Sequence, residues 1–311
     1  MYDSVVFNYS FEHNPKPSMD LVFEKLHSKK EETDLETGEI VKVTGRSKNI
    51  QVAYRTNSLS IYGSLAKYHY GNNLNTLTRE ATGNTIAELS DLMSVDLSNA
   101  RVTRLDFSTN FITEHMPVYY YRFLGNLSRF NRHINTHSLY YNQVNKKLIF
   151  YDKIKEAKKK NMPIPNEFKD KNVLRYEFRL MSQLGKFFKR QVYGKDLSNK
   201  DFYYFLVDEW YKHYNSIDKQ KNKIEVMQNK IKTPKDFDRQ LLIQLVGKLG
   251  YEKIDCLIEQ MKHKGVFTQK EYYSRMKSKY RKMSKMRIER EDTINEINEK
   301  VKEVVLVQKS M

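Results

Sequence analysis

A tyrosine stands at the junction of two kinds of sequence in the fragment KKLIFYDKIKEAKKK, residues 146–160. Apolar residues typical of a strand end at Phe150, and a charged, helix-favouring run begins directly after Tyr151. Unpaired N–H groups at a helix N-terminus favour a phosphate, and a phenol needs assistance to act as a nucleophile. The pattern predicts that Tyr151 attacks a phosphodiester, although an aromatic residue that only covers a strand end would look the same.

Charged residues after Tyr151 could supply this assistance. Lys153 or a metal ion would favour the phenolate, and Asp152 and Glu156 could bind that metal ion or accept the proton. A divalent cation, Mg²⁺ or Mn²⁺, would stabilise negative charge on the phosphorus oxygens. The basic end of the run offers candidates for contacts with DNA phosphates: Lys158, Lys159 and Lys160.

Two further segments, RVTRLDF and LRYEFRL, alternate as β-strands with one polar face do. The polar faces would carry Arg104 and Asp106 on the first strand, and Arg175, Glu177 and Arg179 on the second. Carboxylates bind hard divalent cations, and arginines bind phosphates through paired hydrogen bonds. If the strands are neighbours, Asp106 and Glu177 would face one groove as metal ligands, with the arginines beside them for DNA. Each strand alone is also typical of an ordinary half-buried strand.

The charge of the chain favours a polyanionic partner. Its 311 residues carry a net charge of +17, with 29 Lys and Arg against 20 Asp and Glu in residues 1–194 and 26 against 18 in residues 195–311. Both parts are therefore basic, as a nucleic-acid-binding surface requires. A lysine-rich composition without a function in binding would give the same balance.

Composition also restricts the class of protein. Cys256 is the single cysteine, so intramolecular disulfides and cysteine-based zinc sites are excluded and a reducing compartment is expected. No apolar run is long enough for a membrane span, and the opening MYDSVVFNYSF does not have the pattern of a signal peptide. The chain has no phosphate-binding loop of the Walker type.

Hydrophobic patterning predicts an α+β fold. Strand patterns predominate up to about residue 194, with a helix expected from Thr85, and only helical patterns follow. We therefore expect a mainly antiparallel sheet with helices in residues 1–194, as a catalytic domain. An all-helical basic domain in residues 195–311 would serve origin recognition or assembly.

The order of these motifs, VTRLDFS, LIFYDKIKE, VLRYEFRL and then a helical part, resembles the replication initiators of the filamentous-phage gene II and gene X type, and related plasmid initiators and relaxases. The resemblance implies a protein that nicks one strand of single-stranded or supercoiled origin DNA and stays joined to its 5′ phosphate. The freed 3′-hydroxyl would serve a host polymerase, with a host helicase as a further partner, in the cytoplasm of a bacterial cell. It assigns Tyr151 as the nucleophile, with Lys153 beside it, and Asp106 and Glu177 as metal ligands.

One feature departs from the larger class of such endonucleases, which bind their metal through a His-hydrophobic-His pair. None of the eight histidines here forms that pair. His69, in AKYHYGNN, is the candidate for a third ligand. The gene II-like group also lacks the pair, so its absence favours this subgroup.

Two other functions remain open. The helices of DRQLLIQLVGKLGYEKIDCLIEQMKHKG and the basic segment after them could form a helix-turn-helix, which would make the chain a non-catalytic DNA-binding regulator of a phage or plasmid. An RNA-binding protein would instead use exposed aromatic residues, yet the tyrosines of PVYYYRF and DFYYFLVDEWYKHY fit helix packing better.

Overall fold

The computed structural model describes residues 1–219, 231–284 and 293–310. The chain forms two compact units, Met1–Gln220 together with Ile294–Met311, and Lys221–Thr293. None of the described helices is long and apolar enough to cross a membrane.

One antiparallel sheet of ten strands is the framework of the first unit. The strands are β1 (Tyr2–Ser10), β2 (His27–Thr33), β3 (Ile40–Ser47), β4 (Ile50–Arg55), β5 (Ser58–Ser64), β6 (Arg101–Thr113), β7 (Asn131–Asn135), β8 (Ser138–Asn142), β9 (Lys146–Asp152) and β10 (Asn172–Leu180). Their spatial order is β2-β3-β4-β5-β1-β6-β10-β9-β8-β7. The α+β class with a mainly antiparallel sheet is thus confirmed.

The two polar-faced strands predicted from the sequence, β6 and β10, are neighbours at the centre of this sheet. Their register runs from Asn172 opposite Thr113 to Leu180 opposite Leu105. Because successive residues of a strand point to opposite faces, the apolar residues of both strands share one face and the charged residues share the other. The β10 strand is buried along most of its length, so its charged face is not an ordinary solvent-exposed one.

A layer of helices packs on the apolar face, formed by α4 (Pro117–Tyr121), α7 (Lys200–Asn215) and α11 (Thr293–Ser310). The Tyr176 ring of β10 lies 4.8 Å from the Trp210 ring of α7, and its hydroxyl donates a hydrogen bond of 3.0 Å to the Trp210 carbonyl. The Tyr214 hydroxyl donates to Asn298 Oδ1 of α11 at 2.8 Å. Aromatic residues of α7 and aliphatic residues of α11, such as Val301, therefore complete the core of the sheet.

The structural boundary consequently differs from the predicted one at residue 194. That residue lies inside the first unit, because α7 and α11 bury their apolar stripes against the sheet. Sequence periodicity shows that a helix has an apolar stripe but not which partner covers it. A chain ending near residue 195 would lack Trp210, Tyr214 and Val301, all fully buried here.

Five shorter connections of the first unit are also helical: α1 (Met19–Glu24), α2 (Leu65–Tyr70), α3 (Arg79–Met93), α5 (Lys153–Lys159) and α6 (Leu184–Phe188). The α3 helix begins after the cap residue Thr78, six residues before the predicted start at Thr85. The Thr85 hydroxyl instead donates to the Ala81 carbonyl at 2.7 Å, which is the bond of a threonine inside a helix.

Three helices make up the described part of the second unit: α8 (Pro234–Leu249), α9 (Tyr251–His263) and α10 (Lys270–Ser284). As predicted, Thr233 and Pro234 start α8, where Thr233 and Asp236 form a capping box, and Gly250 ends it with a φ of 80°. Lys277 of α10 pairs with Asp255 of α9 at 3.1 Å. The predicted basic helix up to about Arg290 extends beyond residue 284 and so lies partly outside the described residues.

Candidate active site

A groove of about 820 Å³ opens on the polar face of the sheet, lined by residues of β5, β6, β8, β9, β10 and α5. It brings together nine residues that the sequence predicted for the site: Arg104, Asp106, Tyr151, Asp152, Glu156, Lys159, Lys160, Glu177 and Arg179. Four others do not line it: His69, Lys153, Lys158 and Arg175. Short-range strand periodicity and β6–β10 pairing together produce this arrangement.

Two buried carboxylates form the floor of the groove. Asp106 lies directly opposite Arg179 across the β6–β10 pair, and Glu177 is two residues before Arg179 on the same face. Arg104 donates two hydrogen bonds to Asp106, of 3.0 and 2.8 Å. Arg179 Nε donates to Glu177 Oε1 at 3.1 Å. Asp106 and Glu177 are only 1% and 2% exposed, so these contacts are needed to stabilise their ionised forms.

This carboxylate pair is not fully compensated by hydrogen bonds. Burial, opposed by the hydrogen bonds from Arg104 and reinforced by the charge of Glu177, raises the pKa of Asp106 to about 6. Glu177 Oε2 is buried without a hydrogen-bond donor among the described residues. Arg175 Nε lies 3.8 Å from that oxygen, which is too far for a hydrogen bond. Two adjacent carboxylates with an unsatisfied oxygen fit a hard divalent cation.

The wider ligand set predicted for that cation does not assemble. Among the described residues no group of three or more His, Cys, Asp and Glu side chains is placed to hold a metal ion. His69 lies on α2, where its Nδ1 is 3.3 Å from the Thr85 hydroxyl on α3. Asp152 caps α5 by accepting a hydrogen bond from the Lys155 N–H at 2.9 Å. The residues that fit a cation at the groove floor are therefore Asp106 and Glu177, whereas His69, predicted as a third ligand, does not line the groove.

Tyr151 lies on β9 opposite Arg175 on one side and Ser138 on the other. Burial raises the pKa of the half-buried phenol, and the charge of Arg175 opposes that rise. The phosphate site expected at the N-terminus of α5 is not found. The Lys155 N–H already donates a hydrogen bond to Asp152, and a helix of seven residues has only a small dipole. Among the charges around Tyr151, Arg175 favours the phenolate, whereas Glu177, Glu156 and Asp3 disfavour it.

Lys153 is completely buried beside Tyr151, beneath the groove. Its Nζ donates to Asn73 Oδ1 at 2.7 Å and to Glu156 Oε2 at 2.6 Å, and lies 5.8 Å from the centre of the Tyr151 ring. Burial, aided by the charge of Arg175, lowers the pKa of Lys153 to about 8. A lysine of this pKa can exchange a proton near neutral pH.

Arg175 supports the groove from below and is not available to DNA. The residue is 2% exposed, and its guanidinium donates to Asp3 at 2.5 Å, to Ser108 at 2.6 Å and to the Asn73 carbonyl at 2.9 Å. Arg175 is therefore not placed to bind phosphate as predicted, because the loop of Asn73 covers this part of β10. Lys158 is exposed but lies off the groove.

Asp3, Asn73 and Lys67 belong to the site but were missed in the sequence. Asp3 accepts from Arg175 and Ser64, and Asn73 bridges Asp3 to Lys153. Asp3 carried a signal, because an acid stood within the apolar strand YDSVVFNYS. Lys67 lies on α2 and Asn73 lies in the loop after that helix. No sequence pattern marked either residue as part of the site.

Replacing Arg175 with alanine is expected to lower the free energy of unfolding by about 3–5 kcal/mol, since Asp3 would remain buried without its ion pair. Urea unfolding followed by circular dichroism measures this loss. Lys158→Ala, at an exposed position, is the matched control and should change stability by less than about 0.5 kcal/mol. Equal stabilities of the two variants would contradict the supporting role of Arg175.

Residues 1–200 match the Phage_CRI family model, which describes the N-terminal part of a phage replication-associated protein, the gene II protein. The chain belongs to this family of replication-associated proteins. The match to the Phage_CRI family includes every residue of the groove and confirms the resemblance to the filamentous-phage gene II initiators. The helices α8, α9 and α10 lie outside the matched residues. A search of curated proteins finds no match to the chain.

Proposed function

We propose that this member of the Phage_CRI family initiates replication by nicking one strand of origin DNA through Tyr151. The observation that carries the proposal is the position of Tyr151 in one groove with the carboxylates of Asp106 and Glu177 and a basic rim. Tyr151 is distinguished from Tyr62 and Tyr140, which also line the groove, by the arginine opposite it and the buried lysine beside it.

In the proposed reaction the phenolic oxygen of Tyr151 attacks the phosphorus of a phosphodiester. A bond forms between that oxygen and the phosphorus, the bond to the 3′-oxygen breaks, and the phenolic proton passes to the departing 3′-hydroxyl. Arg175 favours the phenolate by its positive charge, and Lys153 can relay the proton. The phosphotyrosine conserves the energy of the phosphodiester, so the strand can later be rejoined without ATP.

Asp106 and Glu177 would hold Mg²⁺ or Mn²⁺ at the groove floor, with waters and DNA phosphate completing its ligands. The cation would neutralise charge on the phosphorus oxygens. Arg104 and Arg179, both part-exposed and already bound to these carboxylates, lie where they can contact the same phosphate. Lys159 and Lys160 at the rim would attract the DNA backbone.

Cleavage of supercoiled DNA tests the function. A plasmid that carries the DNA flanking the gene should be converted to the nicked form in the presence of Mn²⁺, with protein bound to the new 5′ end. Its 3′-hydroxyl should prime a bacterial host polymerase, and a host helicase would open the duplex. Binding without any nick would instead favour the alternative function, a non-catalytic regulator that uses the helices of the second unit.

DNA affinity should depend steeply on salt, because both parts of the chain are basic. If about six or more phosphates are contacted, the affinity should fall by about 10³-fold or more between ~50 and ~200 mM salt. Filter binding at increasing NaCl measures the slope. An affinity that does not change with NaCl concentration would contradict the electrostatic basis of the proposed DNA binding.

A further inference from the structure

Tyr62 provides an exposed aromatic surface in the groove, on β5. Its side chain is 38% exposed although it faces the same cavity as Tyr151. Four strand spacings, roughly 19 Å, separate β5 from β9 across the sheet. Tyr62 is level with Arg104 on β6 and Tyr151 is level with Asn110, so the two tyrosines are also offset by six residues along the strands. The Tyr62 ring therefore lies far enough from Tyr151 to contact a different nucleotide.

The position of the Tyr62 ring is held by a charged neighbour. The guanidinium carbon of Arg104 lies 5.5 Å from the ring centre, and Arg104 is itself fixed by two hydrogen bonds to Asp106. Tyr62 and Arg104 both lie opposite Val6 of β1, one on each side of that strand. A ring that is held in place and yet exposed is suited to stacking, since little conformational entropy is lost on contact.

Resting on the nicking function proposed above, we propose that Tyr62 stacks on an unpaired base of the DNA strand whose phosphate lies at Tyr151. A base inside a duplex has both faces covered by its neighbours, so an aromatic platform selects unpaired bases. The groove of about 820 Å³ is large enough for unpaired nucleotides. The substrate of the groove is thus single-stranded DNA.

Charges between the two tyrosines suit a DNA backbone that crosses the strands. Passing from β5 to β9, the DNA would cross Arg104 on β6 and Arg179 on β10, whose side chains are 25% and 30% exposed. Guanidinium groups bind phosphates through paired hydrogen bonds. The oblique path from Tyr62 to Tyr151 therefore offers a base contact, two phosphate contacts and the nucleophile along one groove.

The test measures binding without cleavage, in protein that carries Tyr151→Phe and without divalent metal. Single strands of the DNA that flanks the gene, with one 2-aminopurine at successive positions, report stacking by quenching of fluorescence. We expect quenching at one position, and Tyr62→Ala should weaken binding roughly 5- to 150-fold and abolish the quenching, the range that follows from 1–3 kcal/mol per stacked base. Tyr62→Phe retains the ring and should bind like the parent.

Tyr70→Ala is the matched control, because Tyr70 is 37% exposed but does not line the groove. Unchanged affinity in Tyr62→Ala, or an equal loss in Tyr70→Ala, would overturn the stacking site. Equal affinity for duplex DNA would overturn the selection of unpaired bases. Failure of the wild-type protein to nick DNA in the plasmid assay would reject the nicking function, whereas these binding results address Tyr62 alone.

Discussion

Tyr151→Phe protein is expected to form no covalent adduct with DNA while it keeps its fold and its affinity for DNA. Phenylalanine preserves the ring that packs between β8 and β10 and removes only the oxygen proposed to attack the phosphate. The loss should be complete within detection, because the variant lacks the phenolic oxygen that would bond to phosphorus. This substitution separates a nucleophile from an aromatic residue that merely covers the strand end.

A labelled single-stranded oligonucleotide with the flanking DNA sequence, incubated with Mn²⁺ and run on a denaturing gel, reveals the adduct. Tyr141→Phe and Tyr176→Phe are controls, since both side chains are buried on the opposite face of the sheet. Tyr140→Phe is the more demanding comparison, because Tyr140 lines the same groove. An adduct that persists in Tyr151→Phe, or a DNA-linked peptide that maps to Tyr140, would refute the assignment.

Asp106→Asn and Glu177→Gln should each abolish nicking and leave DNA binding nearly unchanged. Each variant removes one of two carboxylates proposed to hold the cation, yet preserves the size of a buried side chain. The loss of a negative charge at the groove floor does not weaken contacts with phosphate. Nicking activity is therefore expected to separate from affinity, which a general loss of structure would not produce.

Plasmid nicking and filter binding, measured side by side at several Mn²⁺ concentrations, provide the test. Asp208→Asn, which changes an acid on α7 away from the groove, is the control and should behave as wild type. Cleavage without metal, or wild-type rates in both groove variants, would disprove the metal site. Because the pKa of Asp106 is about 6, protons compete with the cation below that pH, and half-maximal nicking should then require more Mn²⁺.

The sequence by itself determined those features of the site that depend on local periodicity. Alternation along β6 and β10 placed Asp106 and Glu177 on the polar faces of their strands, and the change of pattern after Phe150 located Tyr151 at the end of β9. These features follow from residues a few positions apart, and the structure retains them. The net charge of +17 likewise follows from the composition alone.

Tertiary structure alone decided which charged residues remain accessible and what supports them. Arg175 and Arg179 have the same strand pattern, yet Arg175 is buried on Asp3 because β1 and the loop of Asn73 cover it, whereas Arg179 faces the groove. The helices α7 and α11 likewise join the sheet through contacts distant in sequence. Burial depends on which segments pack together, and a pattern within one segment carries no information about its partner.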